Sequence, residues 1–422
     1  MIIQKNLFFL FFYFFSTSLF FSQEVLPSWE KGVMELHHIN TGRGDAAFYI
    51  FPDGTTMLVD AGDMSITHKR TLSNRNEKLR PNSTKTAPEW IVDYIKQFIP
   101  KTRTPQLDYA LITHYHDDHF GELDTLRKTA PGGYKLTGIT EVGTLIPIKK
   151  LIDRGSSYPL DLKDAKVQAK AQFVNDKFKM IPTLKEYWKF IEFQNKKNGL
   201  AHETLKAGEL NQIKLINTPS DFPEFKVQNI AVNGDIWTGE KNNVFHLFKM
   251  GDYPGENPLS TCFKISYGEF DYFTGGDIYG VDGFGTSDIN SIESNIAPVI
   301  GPVDVATLNH HGNRDSQNAF YVRTIRPRVW VQQNWSSDHP GEEVLRRILS
   351  KKLYPGDRAI FSTTMLQANK DVIGGNLNSY KSQNGHIVVR VEKGGASYEI
   401  YILNDKNKNR EVIAKFGPYE SR

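Results

Sequence analysis

Three imidazoles and a carboxylate stand within six positions of one another: His114, His116, Asp118 and His119, in the run Thr113-His114-Tyr115-His116-Asp117-Asp118-His119. The 422-residue chain has only 12 histidines, so three in one short run is more than a polar loop needs. Neutral imidazole is a good ligand for Zn²⁺ and related ions, and carboxylate completes such sites. A turn here can send His114 and His116 to one side and Asp118 and His119 to another. That geometry suits two adjacent cations better than one.

An element must deliver these side chains. Residues 107–113 form an apolar run that reads as a buried strand ending at the cluster. Upstream, 33–39 and 46–51 read as strands around the turn Gly42-Arg43-Gly44-Asp45. Pro52-Asp53-Gly54 marks a second turn, and Thr56–Val59 is a short strand ending at Asp60-Ala61-Gly62. Residues 63–87 are polar and basic with little periodicity, which predicts a surface loop. Pro88 opens a helix with Trp90, Ile91, Tyr94, Ile95 and Phe98 on one face.

A long middle section follows, with helices expected at 162–175 and 183–195. There Tyr187, Trp188, Phe190 and Phe193 interleave with Lys185, Lys189, Lys196 and Lys197. Such interleaving can bind a nucleic-acid strand through stacking and phosphate contacts. An amphipathic helix with a core face and a solvated lysine face is the simpler account. Asn233-Gly234 turns a hairpin between 226–232 and 236–238. Later strands are expected at 261–266, 272–274, 303–308, 329–332, 385–391 and 398–403, with a helix at 342–349. Strands, then helices, then strands again predict an α/β fold of sheets sandwiched between helices.

Composition sets outer bounds. Hydrophobic residues are 39% and charged residues 23%, as in ordinary globular chains. A net charge of +3 is too near balance to indicate nucleic acid or an anionic membrane by itself. Lys5 precedes a nearly unbroken apolar run from Leu7 to Phe21, shorter than the roughly 20 residues of a membrane-spanning helix. Residues 1–22 are therefore expected to be a cleaved signal peptide, an uncleaved anchor being the other reading, and the chain to be periplasmic or secreted. No later stretch is apolar enough to span a bilayer. Cys262 is the only cysteine, which excludes an intramolecular disulfide and a cysteine-rich zinc site. His37, His38, His68, His202, His246 and His386 show no partner pattern and are expected at the surface or half-buried.

The spacing His-x-His-x-Asp-His resembles the signature of the metallo-β-lactamase superfamily. The resemblance implies an αβ/βα sandwich of two mixed sheets flanked by helices. It runs from about Val33 to Leu403, and the domain it implies covers 23–405, with an inserted helical and hairpin section at about 135–255 and a C-terminal tail at 406–422. Asp60, in Leu58-Val59-Asp60-Ala61-Gly62, matches an aspartate that orders the metal loop. Asp277, in Phe273-Thr274-Gly275-Gly276-Asp277, matches the carboxylate that bridges the metals. Gly42-Arg43-Gly44-Asp45-Ala46, Asn309-His310-His311-Gly312-Asn313 and Asp338-His339-Pro340 followed by Glu343-Val344-Leu345 are similar to one branch. That branch is the hydrolase domain of the DNA-uptake channel proteins (the competence ComEC type) and its stand-alone relatives.

What the resemblance implies is a pair of divalent ions, Zn²⁺ or Mn²⁺, whose shared water becomes a hydroxide nucleophile. The ligands would be His114, His116, Asp118, His119, Asp277 and His310. Asp118 would also orient the nucleophile. One of His310 and His311 would close the second metal shell, and the other would serve a substrate oxyanion or leaving group. Where many relatives carry another metal-binding histidine this chain has Asn257, a poorer ligand, and an oxygen-richer site makes manganese as credible as zinc. His339 is a further ligand or acid. The substrate class implied is a phosphodiester, with nucleic acid among the candidates. A lactone, lactam or thioester hydrolase, and a non-catalytic metal-binding scaffold, are the alternatives.

Overall fold

The computed structural model describes residues 24–101, 104–281 and 287–422. The segment expected to be a signal peptide lies outside them. Six strands open the chain: β1 (Met34–His38), β2 (Ala47–Ile50), β3 (Thr56–Val59), β4 (Leu107–Leu111), β5 (Ile148–Asp153) and β6 (Ala201–Thr204). Nine more build a second sheet: β7 (Lys226–Val232), β8 (Asp235–Trp237), β9 (Val244–His246), β10 (Cys262–Tyr267), β11 (Phe270–Thr274), β12 (Val305–Thr307), β13 (Val329–Gln332), β14 (Ala359–Ser362) and β15 (Tyr380–Ser382). The chain then returns to the first sheet with β16 (His386–Val391), β17 (Ser397–Leu403) and β18 (Val412–Glu420).

Both sheets are mixed. The first runs β18-β17-β16-β1-β2-β3-β4-β5-β6, parallel from β3 to β6 and antiparallel elsewhere. The second runs β15-β14-β13-β12-β11-β10-β7-β8-β9, parallel from β11 to β15. Parallel neighbours need crossovers, and helices supply them. Ala87–Phe98 links β3 to β4, and Met180–Asn198 links β5 to β6. Ile292–Ile300 and Ala319–Ile325 do the same on either side of β12.

Side-chain alternation fixes the layers. Met34, Leu36, Tyr49, Met57 and Leu111 of the first sheet pack with Phe263, Tyr272, Val329 and Val331 of the second. The opposite faces pack on helices: Phe48, Leu58 and Ala110 against Ile91, Ile95 and Phe190, and Ala306, Trp330 and Ile360 against Ile296, Tyr321 and Leu345. A one-residue slip in any of these strands would exchange its two faces. The fold is α/β, with two large mixed sheets packed face to face and helices outside.

The helix at Ala87 starts as its sequence predicts. Thr86 and Glu89 form a reciprocal capping box, and Pro88 sits in the first turn, where no amide partner is needed. Elsewhere the structure adds detail to the expectations or departs from them. The section at about 135–255 contributes strands to both sheets: β5 and β6 extend the first, and β7 pairs with β10. The 406–422 tail contains β18, which pairs with β17. The 63–87 loop carries buried Asp63, Ser65, Thr71 and Asn76. Of the two helices expected in the middle, the first is two separate single turns, and the second runs Met180–Asn198. That helix buries Tyr187 and Phe190 in the core and exposes Lys185, Lys189, Lys196 and Lys197, so its pattern is amphipathic packing. Among the described residues no helix is long and apolar enough to cross a membrane.

Candidate metal centre

Four strand ends bring the site together. Asp60 follows β3, His114 to His119 follow β4, Asp277 follows β11, and His310 and His311 follow β12. All four strands belong to parallel pairs, and carboxyl ends of parallel strands are where α/β folds gather ligand-binding groups.

The loop after β4 is held from behind. Asp60 accepts from the Thr113 amide at 2.8 Å and from the Thr113 hydroxyl at 2.7 Å. Its Oδ2 also lies 2.8 Å from His119 Nδ1. Gly44 and Gly62 let two backbone segments press against the loop: a Cβ on either would fall 2.1 or 2.2 Å from the Asp118 carbonyl oxygen. That carbonyl accepts from the Asp45 amide at 2.7 Å. The Gly42-Arg43-Gly44-Asp45 turn is therefore part of the site's support.

Two groups of donor atoms result, each with its atoms within 4.8 Å of one another. One is His114, His116 and Asp277; the other is Asp118, His119, Asp277 and His311. Asp277 belongs to both. Its Oδ2 is 3.7 Å from His114 Nε2 and 3.4 Å from His311 Nε2, and its Oδ1 is 3.1 Å from His119 Nε2. His311 Nε2 is 3.3 Å from Asp118 Oδ2. Ring nitrogens also face one another: His114 Nε2 and His116 Nδ1 at 3.1 Å, His119 Nε2 and His311 Nε2 at 3.3 Å. Converging imidazole nitrogens and carboxylate oxygens are the donor set of a divalent transition ion. These residues fit a metal.

The electrostatics agree. Burial pushes His119 towards its neutral form, yet Asp277, Asp60 and Asp118 together raise its pKa well above the usual imidazole value. His311 behaves likewise, with Asp277 and Asp45 overcoming burial. Burial raises the Asp277 carboxyl, and His119, His311 and His310 bring it well below the usual range. His114 is lowered by burial and then by His119, so it is held neutral, as a ligand must be. The carboxylates create a field that calls for positive charge.

The expected ligand set carried His310 with the choice between it and His311 left open, and His311 is the one whose ring nitrogen joins the second donor group. Both residues have left-handed backbones, φ 46° and 53°, and their Nε2 atoms lie 3.9 and 3.4 Å from Asp277 Oδ2, His311 the nearer. His310 belongs to neither group. Its Nδ1 lies 2.8 Å from Asp315 Oδ1 and its Nε2 3.1 Å from Asn257 Nδ2. Asn257 Oδ1 is buried without a hydrogen-bond partner. His339 is buried beside the centre, its ring 4.8 Å from that of His311, and is in neither group.

Supporting residues went unseen in the sequence. Glu293, fully buried, accepts from the Asn309 side chain and from the Gln317 and Asn318 amides, bracing the strained His310-His311 turn. Left-handed non-glycine residues cost on the order of 1–3 kcal/mol each and persist only where surroundings over-determine them. Arg70 stands at the approach to the site. It pairs with Asp117 at 2.5 Å, and its guanidinium lies 4.5 Å from the Phe178 ring and 5.4 Å from the Trp335 ring. Phe178 is in turn 6.0 Å from His116, and Trp335 5.8 Å from His311, ring to ring.

Three histidines without a sequence signal also need correction. His37, His38 and His386 are buried, because they lie on interior strands β1 and β16. His37 meets Tyr94 and Glu35, His38 meets Gln333, and His386 accepts from the Asn40 amide. Comparison with protein-family models and with curated proteins returns no match.

Proposed function

We propose that this chain is an exported, metal-dependent hydrolase of the metallo-β-lactamase superfamily, akin to the stand-alone relatives of the competence-type hydrolase domain, and that it cleaves phosphodiesters. The observation that carries the reading is Asp277, shared by two buried ligand groups built from segments far apart in sequence. Two mixed sheets with helices outside, and a site at strand carboxyl ends, support the αβ/βα assignment. Export rests on the Lys5 and Leu7-to-Phe21 pattern alone.

A pair of divalent cations, Zn²⁺ or Mn²⁺, would supply acidified water and offset the negative charge that develops on the substrate. The chain's own residues do the rest. His114, His116 and Asp277 would hold one ion, and Asp118, His119, Asp277 and His311 the other. Asp60 orients His119. His310, its Nδ1 2.8 Å from Asp315 Oδ1, would pass a proton to the leaving oxygen. Arg70 is already paired with Asp117, so the cation that would favour an anionic substrate over a neutral ester is Lys177, 4.8 Å from the Phe178 ring.

The test is a substrate panel with Mn²⁺ or Zn²⁺: bis-p-nitrophenyl phosphate, single- and double-stranded DNA, a lactone and a β-lactam. Turnover of the phosphodiesters is expected. Turnover of the lactone or lactam alone would replace this reading with carbonyl hydrolysis. Metal binding without any turnover would leave a scaffold.

A further inference from the structure

Arg154 and Glu256 are both buried, and neither belongs to the ligand groups. Arg154 Nε donates to Glu256 Oε1 at 2.6 Å and Nη2 to Oε2 at 2.8 Å, a two-pronged pair. The pair has other partners, since Arg154 Nη1 donates to the Gly155 and Tyr158 carbonyls at 3.1 and 3.3 Å and the Tyr253 hydroxyl donates to Glu256 Oε2 at 2.9 Å, and it also grips Tyr115. Glu256 Oε1 also accepts from the Tyr115 amide at 2.9 Å. The Arg154 guanidinium lies 4.5 Å from the centre of the Tyr115 ring. The Tyr115 hydroxyl donates to the Gly155 carbonyl at 3.2 Å. Tyr115 is thus fixed at its amide, its ring face and its hydroxyl.

Tyr115 sits between His114 and His116. Fixing it sets the backbone from which both imidazoles project, and therefore the 3.1 Å approach of His114 Nε2 to His116 Nδ1. The other ligand group has further supports. Asp60 backs His119, and Gln332 donates to the His311 carbonyl at 2.7 Å; Asp45 Oδ1 lies 3.2 Å from His311 Nδ1 without a hydrogen bond between them. The halves share Asp277 and the Asp60–Thr113 support, the Thr113 hydroxyl lying 3.2 Å from His114 Nδ1, whereas the Arg154–Glu256 pair reaches the centre through Tyr115.

We infer that the Arg154–Glu256 pair is a positioning device for one half of the metal centre, setting His114 and His116 through its grip on Tyr115. The inference rests on the metal-centre reading above. Buried ion pairs often contribute little to stability, since desolvation offsets their attraction. A positional role explains why a fully buried arginine is placed here. Groups bonded directly to a ligand typically change metal affinity by about 10–100-fold, which bounds the effect of a pair that acts through Tyr115.

The experiment counts bound ions and measures each affinity, using native mass spectrometry and Co²⁺ absorption on the full chain. The main variant is Arg154→Met with Glu256→Gln, which removes the charged clamp without leaving one buried charge alone. Glu256→Asp, which withdraws the carboxylate by one methylene, is the second. With folding verified by circular dichroism and a cooperative melt, one ion is expected to weaken, by up to about 10–100-fold, while the other binds as in the wild type. Wild-type affinity for both ions in a folded variant would overturn the inference. So would equal weakening of both, or failure of both variants to fold, since either outcome makes the pair a general stability element. A wild-type protein that binds no ion would instead sink the metal-centre reading itself.

Discussion

Asp60 Oδ2 and His119 Nδ1 lie 2.8 Å apart, both buried, with His119 Nε2 on the opposite side of the ring 3.1 Å from Asp277. A carboxylate behind one ring nitrogen holds the proton there and turns the other nitrogen's lone pair towards the site. In Asp60→Asn the amide can offer its NH₂ to Nδ1, which would move the imidazole proton to Nε2 and block it as a ligand. Affinity for the ion held by Asp118, His119 and His311 should fall by about 10–100-fold, read by chelator-competition titration. Unchanged affinity would show that Asp60 only orders the backbone at Thr113.

Asp277 is shared between both ligand groups, so its removal should be felt at both. Ligands that bind only the folded state stabilise it, by about 2.7 kcal/mol at a hundred times Kd. The wild type should gain melting temperature on addition of Zn²⁺ or Mn²⁺ and lose the gain with a chelator. Asp277→Ala should show no metal-dependent shift while melting cooperatively, and its turnover should be abolished. A wild-type-sized shift in the variant would exclude Asp277 as the bridge.

Much of the site was legible because its ligands are concentrated. The 113–119 run stands out by residue type alone, and Thr56–Val59, Val329–Gln332 and Glu342–Leu349 fall where periodicity puts them. The missed elements lack such signals. β6, Ala-His-Glu-Thr, has no core face because it is an exposed edge strand, and β18 holds Gly417-Pro418 near its end. Choosing between adjacent His310 and His311 was beyond any spacing argument. The left-handed turn that decides it is held by Glu293 and by Gln332, which donates to the His311 carbonyl at 2.7 Å.

Glu141 offers a pH test away from the centre. Burial, then the charge of Asp63, pushes its carboxyl up to about 7, although the Thr86 hydroxyl donates to it at 3.0 Å. Between about pH 4.5 and 7 the folded state therefore keeps a proton that the unfolded state releases, so this group's contribution to stability falls as pH rises through that window. Below the window both states are protonated, and above it the full penalty applies. Glu141→Gln should remove the penalty, making the variant on the order of 2–3 kcal/mol more stable than wild type at pH 8 and about equal at pH 4. Urea midpoints across that range measure it; parallel curves would refute the assignment.

Cys262 should be silent towards thiol reagents in the folded protein. It is buried among apolar residues, its Sγ 3.6 Å from the Gly275 carbonyl oxygen, and burial pushes its thiol far above the usual range. The thiolate is the reactive form, so neither access nor ionisation favours reaction. Labelling by a disulfide reagent should proceed only as fast as the chain unfolds and reach one thiol per chain in denaturant. Rapid labelling under native conditions would mean that β10 opens locally.

The neighbouring histidines His310 and His311 should separate binding from turnover. His311 Nε2 meets Asp118 and Asp277 at 3.3 and 3.4 Å, so His311→Ala removes a donor from the second group and should lose one ion of two. His310 is tied to Asp315 and Asn257 and belongs to neither group, so His310→Ala should keep both ions. If His310 passes a proton to the leaving oxygen, its loss should cost about 10²–10⁴-fold in kcat. A substrate with a good leaving group, such as a p-nitrophenyl ester, needs that proton least and should suffer the smaller loss. Equal losses on good and poor leaving groups would remove the proton-transfer role, and loss of an ion from His310→Ala would return that residue to the ligand shell.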